Sequence, residues 1–543
     1  MSNTANFPLL SLIMFTPLVG AVILLFVSKH SEDTIRWIAN GFAGLGFLVS
    51  LPLWFWLDVT TTDWQFVERH DWIPSIGAEY FLGVDGFSTL LILLATLIGA
   101  IAVLSSWTAI TERLKEYYVF LLVLQTGMIG AFVALDFLLF FVFWEVMLVP
   151  MYFLIGIWGS ANRLYSAIKF FLFTLVGSVI MLLGILAVYF YHHEVTGVYT
   201  FDITRFHELN MPFELQRWVF LAFFLGFAVK VPMFPFHTWL PDAHTDAPTA
   251  GSVILAAVLL KMGTYGFIRF SLPILPDATT HYVPWVVGLS IIGIIYGALV
   301  AMAQRDWKRL VAYSSVSHMG LVMLGIATLT DFGINAAIMG MVAHGLITGM
   351  LFFLAGSVKE RYHTLEISRL GGLLVQAPRM GWIFGFCAMA SLGLPGLAGF
   401  WGEFPAILSA YNPANGVPVE TFRTFMVVAA LGTVLAAGYL LWLLQRSAFG
   451  NPPDEFANDP NIVDTTRTEW IAWAPMLALI LAIGIYPNLV FGITDDAVDA
   501  SLAPCLTVEA PLDHDLAETL ACSEVYDLGG QDHHSHDHTA TGG

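Results

Sequence analysis

Apolar stretches about as long as a membrane is thick recur along this 543-residue chain, and they constrain its fold more than any other feature. A helix needs roughly 20 apolar residues to cross the hydrocarbon core of a bilayer. Hydrophobic residues make up 57% of the chain and charged residues only 12%, which is more apolar surface than a water-soluble domain can bury. The sequence therefore predicts an all-α, polytopic membrane protein.

Counting these stretches predicts about fourteen transmembrane helices, two of them broken. They lie at 8–27, 34–57, 86–107, 117–135, 137–157, 166–191, 217–242 (broken), 247–272, 283–303, 307–329, 333–357, 380–410 (broken), 423–446 and 468–493. The first lacks a basic leader and an A-x-A cleavage site, so we expect a retained span rather than a signal peptide. We expect an N-terminal three-helix segment over 1–115, spans 4–8 over 116–272, spans 9–13 over 283–447, span 14 over 468–493, and a tail over 495–543.

The basic residues predict the orientation, because cytoplasmic connections of membrane proteins are rich in lysine and arginine. With the N-terminus outside, fifteen of the 22 basic residues fall on the cytoplasmic side: Lys29, Arg36, Arg113, Lys115, Arg163, Lys169, Arg305, Lys308, Arg309, Lys359, Arg361, Arg369, Arg379, Arg446 and Arg467. The outer side then holds Arg69, Arg205, Arg217 and Arg423, and three more lie within spans. We therefore expect both termini in the outer compartment.

The residues after about Asp495 form an acidic tail that ends in HHSHDH, with His533, His534, His536 and His538. We expect this tail to be solvated and disordered, with zinc or copper binding by the histidines as the alternative. In an oxidising outer compartment, Cys505 and Cys522 can form a disulfide. The third cysteine, Cys387, lies in an apolar span, where we expect it to serve only packing.

One stretch, FFLGFAVKVPMFPFHTWLPDAH at 223–244, places a lysine in an apolar run directly before two prolines. A charge at mid-bilayer is costly, by about 2.5–3.5 kcal/mol on insertion scales, so Lys230 is expected to face a cavity or a partner. Pro232 and Pro235 break the helix and free carbonyl groups that need a polar interior. Broken helices with a charge at the break are how membrane transporters form ion sites. The alternative is a snorkelling lysine at an ordinary helix end.

An internal repeat is suggested by three matches at one spacing. His318 follows Glu145 by 173 residues, Glu403 follows Lys230 by 173, and Pro405 follows Pro232 by 173. Corresponding elements are five spans apart, so the sequence predicts two inverted five-helix repeats, each with one broken helix. The match is imperfect, because the glycines and Pro395 precede Glu403, whereas most helix breakers follow Lys230.

The candidate functional set consists of ionisable residues within predicted spans: Glu145, Lys230, Lys261, His318, His344 and Glu403. Intramembrane ionisable residues are expected to be functional. Each alone also has a structural explanation, such as a capping glutamate or a histidine satisfied by a carbonyl. All six can bind and release protons, and burial shifts such groups toward neutrality. Moving a proton against 100 mV requires about 2.3 kcal/mol, and one unit of coupled pKa change supplies about 1.4 kcal/mol.

Redox and nucleotide sites have no sequence support in this chain. Its three cysteines include no CxxC pair or cluster that could hold an iron–sulfur centre. There is neither a GxGxxG after a strand nor a GxxxxGK[ST] motif. We therefore expect no cofactor, no metal and no nucleic-acid partner for this chain, and a lysine at the centre argues against a sodium or potassium site.

Four segments resemble the antiporter-like subunits of respiratory complex I. They are FVFWEVMLVPMYFLIG, FAVKVPMFPFHTWLPDAHTDAPTAGSVILAAVLLKMGTYG, AYSSVSHMG and SLGLPGLAGFWGEF. The resemblance covers roughly residues 80 to 495. Within that family the sequence resembles the M type, the homologue of mitochondrial subunit 4, which has glutamate rather than lysine in the broken twelfth span. Glu403 matches that feature.

The resemblance implies a proton channel in which Glu145 and Lys230 form the input pair. Lys261, His318 and His344 would be the central relay, and Glu403 the output residue. It also implies neighbouring L-type and N-type subunits in the membrane arm of an NADH:quinone oxidoreductase in the inner (cytoplasmic) membrane. FMN, iron–sulfur clusters and quinone are then expected in partner subunits. The acidic, His-rich tail departs from the family pattern.

Three other functions stay open from the sequence. One is the D-type subunit of a multisubunit sodium/proton antiporter, which shares the glutamate. Another is a membrane subunit of a proton-pumping hydrogenase. The third is a structural scaffold whose intramembrane charges have no transport role. The TDAPTAGSVILAAVLLKMGTYG segment resembles complex I more than the antiporter, and sodium dependence would distinguish the two.

Overall fold

The computed structural model describes residues 3–4, 7–457 and 459–506, and these are almost entirely helical. The helices up to the middle of the chain are α1 (Leu9–Phe26), α2 (Glu32–Trp56), α3 (Gly86–Ala109), α4 (Leu114–Val133), α5 (Phe137–Val146), α6 (Leu148–Trp158), α7 (Arg163–Thr196), α8 (Ile203–Phe206), α9 (Phe213–Lys230), α10 (Trp239–Asp246), α11 (Thr249–Ile254), α12 (Leu260–Gly266) and α13 (Leu272–Ile274). Those that follow are α14 (Pro276–Met302), α15 (Trp307–Ala327), α16 (Asp331–Tyr362), α17 (Leu373–Gln376), α18 (Pro378–Ser391), α19 (Ala398–Ser409), α20 (Val419–Ala448), α21 (Arg467–Ile485) and α22 (Asn488–Leu506).

Twelve helical stretches in the described part of the chain are long and apolar enough to cross a membrane, counting α5 with α6 and α11 through α13 as one stretch each. The predicted all-helical membrane class is therefore confirmed, whereas the predicted total of fourteen is not. The two segments predicted as broken are absent from the twelve. The structure interrupts both of them, between Lys230 and Phe236 and between Ser391 and Ala398.

Burial distinguishes central helices from peripheral ones. The stretch Thr249–Ile274 and helix α16 are each 100% buried over their most apolar window, and both are less apolar than α1 and α7, whose windows are only 50% and 39% buried. In α2 only 28% of that window is buried, and large side chains such as Trp37 and Phe55 point outward. Since lipid covers apolar side chains as well as protein does, the outward faces need no polar residues. The polar side chains are therefore free to concentrate between the central helices.

A small sheet accompanies the helices at one end of the bundle. β2 (Gln65–Ile73) and β3 (Ala78–Val84) pair antiparallel, with Arg69 opposite Phe81, and β1 (Asn3–Thr4) pairs parallel with β2. The Glu68 carboxylate accepts the backbone N–H of Leu10 at 2.7 Å, and Asp136 accepts that of Glu79 at 2.9 Å. These contacts join the hairpin to the first turns of α1 and α5. The connection between α2 and α3 therefore forms a β-hairpin that is anchored to two helices.

The last predicted span and the predicted start of the tail are both wrong. Helix α21 ends at Ile485 rather than near 493, because Tyr486 leaves the helical conformation, with φ −129° and ψ 77°, and Pro487 has no N–H to continue the helix. A further helix, α22, then covers Asn488–Leu506, so residues 495–506 are helical and do not belong to the tail. It packs on α3, α13 and α16, and Thr494 Oγ1 donates to Asn335 Oδ1 at 2.5 Å.

Of the cysteine and tail predictions, only part falls on described residues. Cys387 is fully buried in α18, in agreement with a packing role. Cys505 is buried and its Sγ lies 3.2 Å from the carbonyl oxygen of Leu272. Cys522 and the histidines from His533 onward lie outside the described residues.

The constant spacing of 173 residues does not align the two broken helices. Lys230 is the last residue of the helix before its break, whereas Glu403 lies within α19, the helix after its break. The residue that ends the helix before the second break is Ser391. The two breaks have different chemistry: two prolines follow Lys230, while Gly393, Pro395 and Gly396 make the turn after Ser391, with both glycines at positive φ.

A buried ion pair joins α3 to the end of the Thr249–Ile274 stretch. Arg269 donates to Asp85 at 2.6 Å and is only 4% exposed, and Asp85 also accepts the backbone N–H of Ser88 as the N-cap of α3. We expect Asp85→Ala to lower the stability of the chain by about 3–5 kcal/mol, because it leaves a buried guanidinium unpaired. Thermal denaturation of the purified assembly measures this. The control Asp71→Ala, at an exposed position of β2, should change stability by less than about 0.5 kcal/mol.

Candidate functional site

The histidine of α15 and the glutamate of α19 are in direct contact. His318 Nδ1 lies 2.8 Å from Glu403 Oε1, and the imidazole is almost fully buried. Its other nitrogen, Nε2, lies 3.2 Å from the Tyr439 hydroxyl and 3.3 Å from the Ser391 hydroxyl. In the neutral tautomer that donates from Nδ1 to the carboxylate, Nε2 accepts from these hydroxyls. The pair can therefore pass a proton between imidazole and carboxylate without moving any heavy atom.

Glu403 reaches His318 because the turn before α19 is built on glycine. A Cβ atom at Gly393 would lie 2.9 Å from Glu403 Oε2, and this residue has φ +72°. Both the close approach and the left-handed backbone favour a residue without a side chain. The second broken helix thus places the Glu403 carboxylate inside the bundle, next to the end of α18, and not on a lipid-facing surface.

The lysine of α12 and the histidine of α16 form the second contact. Lys261 Nζ lies 2.6 Å from His344 Nδ1 and donates to the carbonyl oxygen of Ala256 at 2.6 Å. Lys261 is fully buried, and His344 Nε2 has no hydrogen-bond partner among the described residues. Since an ammonium only donates, His344 accepts at Nδ1 and carries its own proton on Nε2 in this arrangement.

Local helix geometry presents Lys261. Two π-helical turns, Leu255–Leu259 and Phe267–Ser271, flank the α-helical turns that carry it. π-Helical segments are rare and occur frequently at functional sites. The first of them contains Ala256, the residue whose carbonyl accepts the lysine.

A small cavity connects the two contacts. The rings of His318 and His344 have centroids 5.8 Å apart, and both line a cavity of about 20 Å³ together with Glu403, Ser391 and Thr348. That volume is enough for one water molecule, since a water needs about 10–15 Å³. One chain of groups therefore crosses the centre of the protein, formed by Lys261, His344, His318 and Glu403. Neighbouring groups are in direct contact or are separated by a space that holds one water molecule.

Glu145 and Lys230 lie in the other part of the bundle and do not contact this chain of groups. Lys230 Nζ is 4.8 Å from the centroid of the Trp144 ring, and Trp144 donates to the hydroxyl of Ser178 at 2.9 Å. Among the described residues, neither Lys230 Nζ nor Glu145 Oε1 has a hydrogen-bond partner, although both are buried. Glu145 and Lys230 form no ion pair within 4.0 Å. Instead, Trp144 links them: Lys230 lies over its ring, and Glu145 is the next residue in the chain.

Helix breaks also explain the position of these two side chains. Pro150 has no N–H to bond the carbonyl of Val146, so α5 ends one residue after Glu145. Lys230 ends α9, and the chain turns there with Met233 N–H donating to the carbonyl of Ala228 at 2.9 Å. Each ionisable group therefore lies where the helical hydrogen bonding stops, which gives it polar backbone in an apolar layer.

Two further histidines follow the first break and were not selected from the sequence. His244 is fully buried in α10, stacks on Phe352 with ring centroids 4.6 Å apart, and has no hydrogen bond to either ring nitrogen. Lys308 and Lys261 are the cations whose charges act on it. His237 is also buried, and its Nδ1 has no partner. Their seven-residue spacing directly after a broken span was a usable signal, because it places both on one side of a helical segment.

A charged cluster joins the two parts of the bundle next to these histidines. Asp242 of α10 accepts from Lys169 of α7 at 2.7 Å and lies 3.4 Å from Arg309 of α15. Asp246, one turn further, accepts from the hydroxyls of Ser160 and Ser166, each at 2.5 Å. The segment after the first break is thus held from both sides.

Comparison with known proteins fits this geometry. The family model described as NADH:quinone oxidoreductase/Mrp antiporter, TM, matches residues 134–428. Subunit M of the NADH-quinone oxidoreductase of Rhodobacter capsulatus is 44% identical over 494 residues, 89% of this chain and 94% of that protein. The chain belongs to the subunit M family of NADH-quinone oxidoreductase. It is thus a proton-translocating membrane subunit of complex I, and other subunits of the complex are its partners.

Solved structures support the same fold. A chain of respiratory complex I from Thermus thermophilus superposes with a TM-score of 0.81 at 29% identity, covering 91% of this chain and 99% of that one. A chain of the Mrp complex from Dietzia sp. superposes with a TM-score of 0.75 at 21% identity, covering 92% and 100%. The second likeness concerns the fold alone.

Proposed function

We propose that protons cross this subunit through a Glu/Lys/His relay that is coupled to electron transfer in other subunits. The observation that carries the proposal is the chain of contacts Lys261–His344, His344–His318 and His318–Glu403, with separations of 2.6 Å, 5.8 Å between ring centroids, and 2.8 Å. A proton on Lys261 passes to His344, from there through one water or a ring movement to His318, and then to Glu403. In each transfer one N–H or O–H bond breaks and another forms, and no other bond changes.

Glu145 and Lys230 act as the input pair in this proposal. Lys230 Nζ and Glu145 Oε1 are both buried without a hydrogen-bond partner among the described residues, and each side chain lies within the field of the other's charge. Bringing the carboxylate closer to the ammonium stabilises the lysine's proton, and separating them releases it. The Trp144 ring beside Lys230 stabilises the ammonium while the carboxylate is distant.

His244 and Lys308 supply a connection between the input pair and the central relay. Lys308 Nζ donates to the carbonyl of Ala247 at 2.5 Å, and His244 lies within the electrostatic range of both Lys308 and Lys261. A neutral imidazole with two free nitrogens can accept a proton on one side and donate on the other. The five-helix segments 116–272 and 283–447 then act as two linked half-channels, each with one broken helix.

The subunit lies in the inner (cytoplasmic) membrane with both termini on the outer side. Fifteen basic residues on one side against four on the other support this orientation. L-type and N-type antiporter-like subunits are its neighbours in the membrane arm, and FMN, iron–sulfur clusters and quinone are bound by other subunits.

The sodium/proton antiporter function is the second candidate, and the family description and the fold shared with the Mrp complex favour it. Identity to that structure is 21%, against 44% to subunit M of R. capsulatus. Because the chain belongs to the subunit M family, we place the relay in complex I rather than in an antiporter or a hydrogenase.

Gentle affinity purification of the chain from its native membranes tests the proposal. We expect FMN, iron–sulfur subunits and inhibitor-sensitive NADH:quinone activity to co-purify, together with two related membrane subunits of the L and N types. Co-purification with membrane subunits only, and sodium-dependent proton flux in vesicles, would instead establish the antiporter.

A further inference from the structure

A second and larger cavity lies between α3, α11, α16 and α21, away from the cavity at His318. Its volume is about 320 Å³, and hydroxyl groups of Ser105, Ser106, Thr249 and Ser357 are part of its wall. A cavity of this size with several hydroxyl groups in its wall takes up several water molecules, since one water needs about 10–15 Å³. We call it the vestibule.

The vestibule carries one carboxylate that forms no ion pair among the described residues. The guanidinium of Arg361 donates to both oxygens of Glu469, at 2.9 and 2.8 Å, and so is already paired. Glu360 also lines the wall, its side chain is exposed, and it forms no ion pair within the described ranges. The net charge of the lining is therefore negative, which favours cations, the hydrated proton included, over anions.

The vestibule opens at one end of the bundle. Its wall includes the last residues of α3 and α16 and the first residues of α21. The connections at this end carry Arg113, Lys115 and Arg467, which belong to the basic side of the protein. By the distribution of positive charge this is the cytoplasmic side.

Helix α16 leads from the vestibule to the central relay. It contributes Arg361 and Phe353 to the wall of the vestibule, and His344 lies nine residues before Phe353. At a rise of 1.5 Å per residue, the floor of the vestibule is about 13 Å from His344.

Glycines line the face of α16 that covers this distance. A Cβ atom at Gly356 would lie 2.5 Å from the Thr249 side chain, and one at Gly345 would lie 3.0 Å from the carbonyl oxygen of Ala257. The two helices therefore approach so closely that backbone carbonyls border the seam between them, and Lys261 donates to the neighbouring carbonyl of Ala256. Side chains close the middle of this seam: a Cβ atom at Gly349 would lie 3.0 Å from Met476 Cε, and one at Gly345 would lie 2.9 Å from Leu94 Cδ2.

We propose that the vestibule is a proton-uptake path that reaches Lys261 and His344 directly from the cytoplasmic side, with Glu360 as the carboxylate that collects protons at its opening. Glu360 releases its proton to water in the vestibule. After Phe353 and Met476 move aside, Lys261 accepts that proton as the neutral amine that remains once its own proton has passed to His344. Only bonds to hydrogen change. The proposal rests on the proposed relay, and it supplies that relay with protons from the cytoplasmic side.

Filling the vestibule tests the proposal in inverted membrane vesicles that contain the assembled complex. Ser105 hydrogen-bonds only the carbonyl of Ala102 on its own helix, so Ser105→Phe fills space without breaking a contact to another helix. We expect NADH-driven proton translocation to fall several-fold while NADH oxidation by ferricyanide is unchanged. The control Leu104→Phe adds the same ring one position away, outside the vestibule wall, and should pump like the unmodified protein.

A side-specific labelling experiment decides the case independently of pumping. Ser105→Cys and Phe353→Cys, at the opening and the floor, should react with a charged, membrane-impermeant thiosulfonate added to the cytoplasmic face, above the background of the native cysteines. Absence of labelling at the floor, or labelling only from the outer face, overturns the proposal.

The two pumping results also separate this proposal from the proposed function. If Ser105→Phe pumps normally while Glu145→Gln does not, the vestibule is not a proton path and the relay stands. If neither variant changes pumping, the relay itself fails, and the vestibule proposal fails with it.

Discussion

Replacing Glu145 with glutamine is expected to lower NADH-driven proton translocation by about tenfold or more, since a positioned proton-transfer group typically contributes at least that much. Glutamine has nearly the same shape but binds no proton and carries no charge. Lys230 then loses the carboxylate that stabilises its proton, and the input pair no longer has two states. The rate of pH-gradient formation in inverted vesicles, divided by the rate of NADH oxidation, measures the effect.

The structure argues that this substitution acts on transport rather than on folding. Glu145 Oε1 is buried without a hydrogen-bond partner, so the amide replaces no existing contact at that atom. NADH oxidation by ferricyanide should remain unchanged, because it bypasses the membrane arm. Glu112→Gln, the same chemical change at an exposed position, should pump normally. Normal pumping by Glu145→Gln in an assembled complex would instead favour a structural scaffold.

The sequence predicts most of the fold because the hydropathy of each residue largely determines whether its segment crosses the bilayer. Long apolar runs predict the helices, and Pro232 and Pro235 predict the first break, which the structure places directly after Lys230. The sequence does not predict where α21 ends, since 468–493 is one hydropathic stretch and a single proline at position 487 divides it. Turn chemistry outweighs hydropathy at that point.

The site is predictable in composition but not in arrangement. All six selected residues lie within helices of the bundle, and four of them, in four different helical segments, form one connected chain of groups. Which of them touch depends on interhelical packing, for example on Gly393 leaving room for Glu403, and a linear pattern does not contain that information. The spacing of 173 residues paired Lys230 with Glu403, although the two occupy opposite sides of their breaks.

His244 was missed for a related reason. Its helix is short and polar, with Asp242 and Asp246 beside it, so the segment after the first break has the composition of a surface loop. In the structure these two aspartates are held by groups from α7 and α15, which brings the histidine between them into the core against Phe352. Burial of such a segment follows from its partners and not from its own residues.

Replacing Lys261 with methionine is expected to abolish proton translocation to about the same degree, tenfold or more, because the central relay then loses its only lysine. Methionine has a similar length and no charge, and a fully buried position tolerates it sterically. Without the ammonium, His344 loses the donor at its Nδ1, and a proton that reaches the centre has no acceptor before His344 itself.

The matched control is Thr264→Val on the same helix, which also removes buried hydrogen bonds. The Thr264 hydroxyl donates to the carbonyl of Lys261 at 2.9 Å and lies 2.6 Å from the sulfur of Met341, but it has no place in the relay. We expect this variant to lose about 1 kcal/mol of stability and to pump normally. If both variants reduce pumping equally, the loss follows from removing any buried hydrogen bond in this helix, and Lys261 has no specific role. If Lys261→Met abolishes pumping while Thr264→Val pumps normally, the ammonium of Lys261 is itself required, as its contact with His344 predicts.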